Sequence, residues 1–144
     1  MIENDTIELL KECNAGVKMG VTGIDEVFDK IKNEKFKERL QVSKEEHQRL
    51  GSETHELLNR YHDSGKEPNI MAKSMSWIKT NVALAMEETD HMAADLLTDG
   101  CNMGIKSLNR YLNKYEAAEE KAKDIAKRLV NIEEDLVRDI RLYL

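Results

Sequence analysis

The amino-acid sequence predicts an all-α protein, an antiparallel bundle of four long helices formed by two repeated helical hairpins with a short extra crossover helix between them. Charged residues make up 35% of the 144 residues and aromatic residues only 5%, which is typical of a helical bundle rather than a sheet protein. Apolar residues recur at spacings of three and four along most of the chain. The phrase Cys-Asn-x-Gly-x-Lys occurs at residues 13–18 and again at residues 101–106, 88 positions later. This repeat predicts two related hairpins.

The first two helices are predicted from their apolar stripes and caps. Asp5 or Thr6 is expected to cap a helix that runs to about Lys32, and Asn33 is expected to end this helix and cap the next. Gly65 is placed to end the second helix in the left-handed conformation. The first stripe contains Ile7, Leu10, Asn14, Val17, Val21, Ile24, Phe28 and Ile31. The second stripe contains Phe36, Leu40, Ser43, His47, Leu50, Thr54, Leu57 and Tyr61.

The segment 64–88 is predicted to cross from the first hairpin to the second. Pro68 is suited to the start of a short amphipathic helix over about 69–87. A break near Thr89 is expected, because threonine is a good helix cap and the repeat requires a new helix there. The periodicity also allows one unbroken helix over residues 69–115. The apolar stripe of the crossover contains Met71, Met75, Ile78, Val82 and Ala85, with Trp77 beside it.

Two further helices are predicted at about residues 90–115 and 118–143. Leu97, Cys101, Ile105, Leu108, Leu112 and Tyr115 form the inward stripe of the first of these helices. Ala118, Ala122, Ile125, Leu129, Ile132, Leu136, Ile140 and Tyr143 form the inward stripe of the second. The turn between them contains no glycine or proline, and it is predicted from a one-residue slip in the repeat, from 88 to 89.

In the register of 89 residues, Arg39 corresponds to Arg128 and His47 to Leu136, so that the inward stripes of the two hairpins coincide. The chain 1–144 is predicted to form one domain, with hairpins at 5–63 and 89–144. Four long helices with one long crossover connection form the ferritin-like arrangement of the four-helix bundle.

Composition and charge exclude several classes of function. A net charge of −6 argues against binding to nucleic acid, which requires a basic surface. The first five residues lack the basic-then-apolar order of a signal peptide, and no apolar run approaches the length of a membrane span. The protein is therefore expected to be cytoplasmic. Its two cysteines have no zinc-site spacing and are expected to be reduced thiols.

Part of the sequence resembles an uncharacterised family of bacterial ferritin-like domains. The resemblance rests on a crossover helix with a tryptophan, an Asp-His helix start and a glycine about a dozen residues later. The residues of this sequence that carry it are Trp77, the run 89–97, Gly104, Lys106 and Tyr111. It covers most of the chain from residue 5 to residue 144 and implies the same fold, with no established activity. In this family the repeated glycine is usually followed by glutamate. Here those positions are Val17 and Ile105, which argues against a metal site.

The sequence contains few of the ligands that a di-iron bundle requires. Such a site needs inward glutamates on two helices and a Glu-x-x-His motif on each of the other two. The only Glu-x-x-His spacing here is Glu88 to His91, at a predicted helix junction, and the last helix has Glu133, Glu134 and Asp135 but no histidine. No cofactor or complete metal site is therefore expected.

His47 is the most informative single residue, because it lies on an apolar stripe. It is interpreted as a neutral core histidine bonded to a neighbour such as Asn14, with a metal ligand or proton acceptor as the alternative. Cys13 and Cys101 are interpreted as small residues at a close helix crossing near Gly16 and Gly104, with a redox pair as the alternative.

These observations predict a non-enzymatic structural or interaction protein. Its expected partner is a second copy of the chain or another helical protein, docking on the apolar crossover or on the apolar C-terminal residues, and neither nucleic acid nor membrane is expected. The alternative is a metal-binding protein of the di-iron type that uses His47, Glu88, His91 and acidic residues of the last helix.

Overall fold

A computed structural model describes residues 2–61 and 89–144, and these residues form four long helices and one short turn of 3₁₀-helix. The long helices are α1 (Ile2–Phe28), α2 (Glu34–Arg60), α3 (Thr89–Lys114) and α4 (Glu120–Ile140), and the 3₁₀ turn is Arg141–Tyr143. The all-helical class predicted from the sequence is confirmed for this part of the chain. The predicted crossover helix over 69–87 and the break before Thr89 fall outside it.

Two of the predicted helix ends need correction. Asp5 and Thr6 do not cap α1, which already begins at Ile2, and α1 ends at Phe28 rather than near Lys32. The second helix ends at Arg60, and Gly65, its predicted stop, lies outside the described residues. The cap of α2 is confirmed, because the backbone N–H of Phe36 donates to Oδ1 of Asn33 at 3.0 Å.

Asp5 and Thr6 instead contact the turn of the other hairpin. The carboxylate of Asp5 accepts from the backbone N–H of Ala117 at 3.2 Å. The hydroxyl oxygen of Thr6 accepts from the N–H of Glu119 at 2.8 Å while its proton is donated to the carbonyl of Ile2. The start of α1 therefore accepts from backbone donors in the turn and at the N-cap that precede α4.

An equivalent contact joins the start of α3 to the first turn. The two carboxylate oxygens of Asp90 accept from the backbone N–H groups of Lys32, at 2.8 Å, and Asn33, at 3.1 Å. Each hairpin thus begins beside the turn of the other. It follows that α1 and α3 run antiparallel, and that α2 and α4 do so as well.

In the part of the chain that the structure describes, the buried apolar side chains form two hydrophobic clusters at opposite ends of the bundle. They fill the space between the helices, since α1 and α4 pack against each other and each also packs against α2 and α3. Their buried apolar side chains remove enough surface from water to be the main stabilising contribution. The first cluster includes Leu9, Leu10, Cys13, Leu58, Ile125 and Leu129. The second includes Ile24, Val27, Phe36, Leu40, Cys101, Leu136 and Ile140.

In the described ranges, none of the helices has the length and apolar character required to cross a lipid bilayer.

Candidate functional site

A buried histidine–glutamate pair lies between α2 and α4. The α2 stripe predicted from the sequence is buried from Phe36 to Leu57, and His47 within it is only 1% exposed. On α4, Glu133 is 5% exposed. Charged residues are rarely buried to this extent unless they have a partner.

The position of the His47 ring is fixed by its own helix. Nδ1 of His47 lies 2.7 Å from the backbone carbonyl oxygen of Ser43, one helical turn earlier, and 3.5 Å from the hydroxyl of Ser43. Because a carbonyl oxygen can only accept, Nδ1 carries a proton and donates it to this carbonyl. The prediction of a core histidine bonded to a neighbour is therefore confirmed, and that neighbour is Ser43 rather than Asn14.

The other ring nitrogen of His47 faces Glu133. Nε2 lies 4.0 Å from Oε1 of Glu133. Nε2 and the second carboxylate oxygen, Oε2, are both buried, and neither has a hydrogen-bond partner in the described part of the chain. A buried polar atom without a partner is uncommon and calls for a specific explanation.

Two glycines create the space for this pair. A Cβ atom at Gly20 on α1 would lie 2.5 Å from both Cδ2 and Nε2 of His47. A Cβ atom at Gly104 on α3 would lie 2.5 Å from Oε2 of Glu133. Each polar side chain therefore lies against the bare backbone of its own hairpin partner, and a larger residue at either position would collide with it.

Burial dominates the electrostatics of the pair. Desolvation raises the pKa of Glu133, and the neighbouring imidazole of His47 partly offsets this by favouring the charged carboxylate. On α3, the pKa of Cys101 is raised by burial and, to a smaller extent, by the carboxylate of Glu133, with an opposing effect from Arg39. The carboxyl group of Glu133 is thus held in surroundings that favour its neutral form.

Ion pairs flank the buried pair along the interface between α2 and α4. Towards one end, Nε of Arg39 lies 2.7 Å from Oδ2 of Asp139. Towards the other end, the guanidinium of Arg128 donates to both carboxylate oxygens of Glu53, at 2.9 and 2.5 Å. The two arginines that correspond in the sequence repeat therefore each bridge from one helix of this pair to an acidic residue on the other.

His91, the other candidate histidine among the described residues, does not join this pair. His91 is exposed, and its Nδ1 donates to the carbonyl oxygen of Tyr143 at 3.0 Å, at the end of the bundle where the ring of Tyr143 stacks on Phe36. Glu88 falls outside the described residues. Within the described ranges, no group of three or more histidine, cysteine, aspartate or glutamate residues has a geometry that could hold a metal ion.

The glycines and cysteines also differ from the sequence-based expectation. Gly16 faces Leu129 of α4, at 3.1 Å from an added Cβ, rather than forming a close crossing with Gly104. Cys13 and Cys101 belong to different hydrophobic clusters, and both are free thiols. Burial raises the pKa of Cys13 to about 12, so that this thiol is a poor nucleophile.

The sequence analysis places Ile132 rather than Glu133 on the inward stripe of the last helix, and it relates Glu133 to His47 only as one of the acidic residues of the metal-binding alternative. In the structure Ile132 is only partly buried and Glu133 is buried. The available signal was spacing: Glu133 follows Leu129 by four residues and precedes Leu136 by three, which is the interval of the core positions.

Comparison of the sequence with protein-family models, with curated proteins and with solved structures found no significant match.

Proposed function

We propose that this chain is a ferritin-like bundle without a complete di-metal centre, and that it acts as a non-enzymatic structural or interaction protein. Two features support the ferritin-like assignment. The equivalent helices of the two hairpins run antiparallel, and one long connection joins α2 to α3. The family resemblance of the sequence supports the same assignment.

The observation that carries the proposal is the set of residues around His47 and Glu133. A di-metal centre draws a carboxylate from each of two helices and a Glu-x-x-His motif from each of the other two. At the level of the pair, α1 and α3 present Gly20 and Gly104, which have no side chain to coordinate a metal. Among the residues that the structure describes, two ligands therefore lie at this level of the bundle, where six are required.

The two remaining helices each carry half of the motif. On α2, the residue three positions before His47 is Lys44, whose ammonium group lies 2.7 Å from Asp25. On α4, the residue three positions after Glu133 is Leu136, which is fully buried in the core. A cation at position 44 and a hydrocarbon at position 136 do not fit a di-metal centre, and the di-iron alternative is correspondingly disfavoured.

The interaction role is supported by apolar side chains that the described bundle leaves exposed. Leu142 is 75% exposed just after α4, Leu144 is exposed beside it, and Met103 is half-exposed on α3. We propose that a second copy of the chain or another helical protein covers such residues.

Elemental analysis tests the metal-free assignment. Protein purified without chelator, and a second sample loaded with ferrous iron and then desalted, are expected to contain no stoichiometric iron, manganese or zinc. The melting temperature is expected to be the same with and without chelator, because no bound metal stabilises the native state. Sedimentation velocity over a wide range of protein concentration tests the self-association form of the interaction role.

A matched pair of variants makes the metal test specific. His47→Gln removes the buried imidazole, whereas His55→Gln removes an exposed imidazole from the same helix. Stoichiometric metal that is retained by the wild type and by His55→Gln, and that is lost in His47→Gln, would overturn the proposal in favour of a metal-binding bundle.

A further inference from the structure

We propose that His47 and Glu133 together form a proton-binding site that holds one proton in the folded bundle, so that folding of this chain is coupled to proton uptake. This inference goes beyond the proposed function and does not depend on what the bundle binds. It rests on the direction in which each nitrogen of His47 points and on the lack of other partners for the facing atoms.

The geometry determines the number of protons. The proton on Nδ1 of His47 is committed to the carbonyl of Ser43 at 2.7 Å, so only Nε2 faces the carboxyl group of Glu133. With no further proton, a nitrogen lone pair and a carboxylate oxygen face each other across 4.0 Å, and a buried negative charge remains. With two further protons, a buried imidazolium faces a neutral carboxylic acid. With one further proton, the pair is neutral overall and a hydrogen bond can join the two groups.

The surrounding helices add little that could replace this proton. On α1, Gly20 lies against His47 and presents no charge, while Lys18, two positions earlier, lies roughly 200° around the helix. On α3, Gly104 and the thiol of Cys101 face Glu133, and the raised pKa of Cys101 keeps that thiol neutral.

The charged groups of α2 and α4 near the pair have other partners. The ammonium of Lys44 lies 2.7 Å from Asp25. Arg39 lies 2.7 Å from Asp139 and 3.8 Å from Glu46. Among residues 2–61 and 89–144, the pair itself therefore supplies the charge balance at the centre of the bundle.

The pH dependence follows from counting protons. In an unfolded chain a glutamate loses its proton near pH 4.3 and a histidine near pH 6.5, so the unfolded pair holds about one proton between these values and none above them. Above about pH 6.5 the folded pair still holds its proton, unfolding releases it, and stability falls as the pH rises. The raised pKa of Glu133 has the same sign, because a carboxyl group with a raised pKa stabilises the fold at low pH and loses this effect as the pH rises.

Urea unfolding at a series of pH values, in the presence of a chelator, tests the proposal. Glu133→Gln keeps a hydrogen-bonding side chain of the same size and removes the carboxyl proton. The ratio of the folding constants of the wild type and Glu133→Gln is expected to fall by up to tenfold per pH unit above about pH 6.5. Glu134→Gln, an exposed neighbour on the same helix, is expected to give a constant ratio to the wild type.

An NMR measurement on the wild-type protein keeps the test decisive if Glu133→Gln does not fold. Above about pH 6.5, the imidazole nitrogen shifts of His47 are expected to show a proton on Nδ1 and a further proton shared between Nε2 and the carboxyl group of Glu133. Parallel stability profiles for the wild type and Glu133→Gln, or the absence of a shared proton between Nε2 and Glu133, would overturn the proposal. Metal found bound at the pair would contradict the proposed function, whereas the proton count in chelator would still be tested.

Discussion

The ring of His47 occupies the space that a side chain at position 20 would need, because a Cβ atom added to Gly20 would lie 2.5 Å from two atoms of that ring. Gly104 has the same relationship to the carboxylate of Glu133. Glycine inside a helix costs about 1 kcal/mol relative to alanine. The two glycines therefore lower the stability of their helices, and they leave space at the centre of the bundle for a polar pair in place of apolar packing.

Alanine at position 20 should lower stability strongly. Gly20→Ala is expected to decrease the free energy of unfolding by about 2–4 kcal/mol, because the His47 ring is fully buried and must leave its hydrogen bond to Ser43 to avoid the new methyl group. Gly100→Ala is the matched control, since no atom of the described residues lies within 4 Å of its added Cβ, and it is expected to raise stability by about 1 kcal/mol. Chemical denaturation measures both. Equal effects of the two substitutions would show that the ring does not hold this position.

Removal of the His47 imidazole alone should lower the free energy of unfolding strongly, whereas removal of both His47 and Glu133 should change it little. The sequence by itself suggests that His47→Leu is tolerated, but the structure shows that it would leave Glu133 buried without its partner. We expect a loss of about 2–4 kcal/mol at neutral pH, and stability within about 1 kcal/mol of the wild type for the double variant His47→Leu/Glu133→Leu. A double-mutant cycle by urea unfolding measures the coupling. Additive single effects would rule out an interaction between the two residues.

More of the fold than of the polar pair at the centre of the bundle could be predicted from the sequence. The spacing of apolar residues predicted the buried face of α2 correctly, including His47 as a buried residue, because one buried helix face repeats locally along the chain. The partner of His47 depends on how two distant helices align, and no local pattern encodes that alignment. Glu133 is a charged residue on an interior face, so its burial conflicts with its own preference and depends on tertiary contacts.

The register of the repeat shows the same limit. The sequence repeat, at 88 to 89 residues, relates His47 to Leu136. In the structure, residues with related contacts are separated by slightly fewer positions than in the sequence repeat. Asp5 and Asp90, which bind opposite turns, are 85 residues apart. His47 and Glu133, which face each other, are 86 residues apart. Apolar stripes coincide again after a shift of three or four residues, so that stripe matching cannot fix which turn of one helix corresponds to which turn of the other. The repeat itself stays a prediction.

Asp90 should contribute to stability by joining the two hairpins. Asp90→Ala removes the acceptor of two backbone N–H groups, those of Lys32 and Asn33, and is expected to lower the free energy of unfolding by about 1–2 kcal/mol. Asp95→Ala, at an exposed position on the same helix, is the control and is expected to change it by less than about 0.5 kcal/mol. Thermal and urea unfolding measure both. Equal losses of stability in the two variants would show that the contact between Asp90 and the first turn does not stabilise the fold.

The ion pair of Arg128 and Glu53 should contribute weakly and only above acid pH. The hydrogen bond from Arg128 lowers the pKa of Glu53, so this stabilisation is present above the ordinary pKa of a glutamate and is lost as the pH falls through the lowered value. Both side chains are about half exposed, so that Arg128→Gln is expected to lose less than about 1 kcal/mol at neutral pH, and less still in high salt or strong acid. Arg49→Gln, an exposed arginine on α2, serves as the control. A loss from Arg128→Gln that persists unchanged in strong acid would assign the effect to packing of the arginine side chain.

Both cysteines should resist modification in the native protein, for a reason that also argues against a redox pair. Cys13 is fully buried with its pKa raised to about 12, and Cys101 is 8% exposed with its pKa also raised by burial, so neither supplies an accessible thiolate at neutral pH. Disulfide reagents are expected to react with both thiols only as fast as the bundle opens, and at once in urea. Ser52→Cys, which places a thiol at an exposed position of α2, is expected to react immediately and shows that the reagent is active. Because the two native thiols lie in different core clusters, mild oxidation is expected to leave them unlinked. Rapid reaction of either native thiol, or an intramolecular disulfide in folded protein, would instead support redox chemistry.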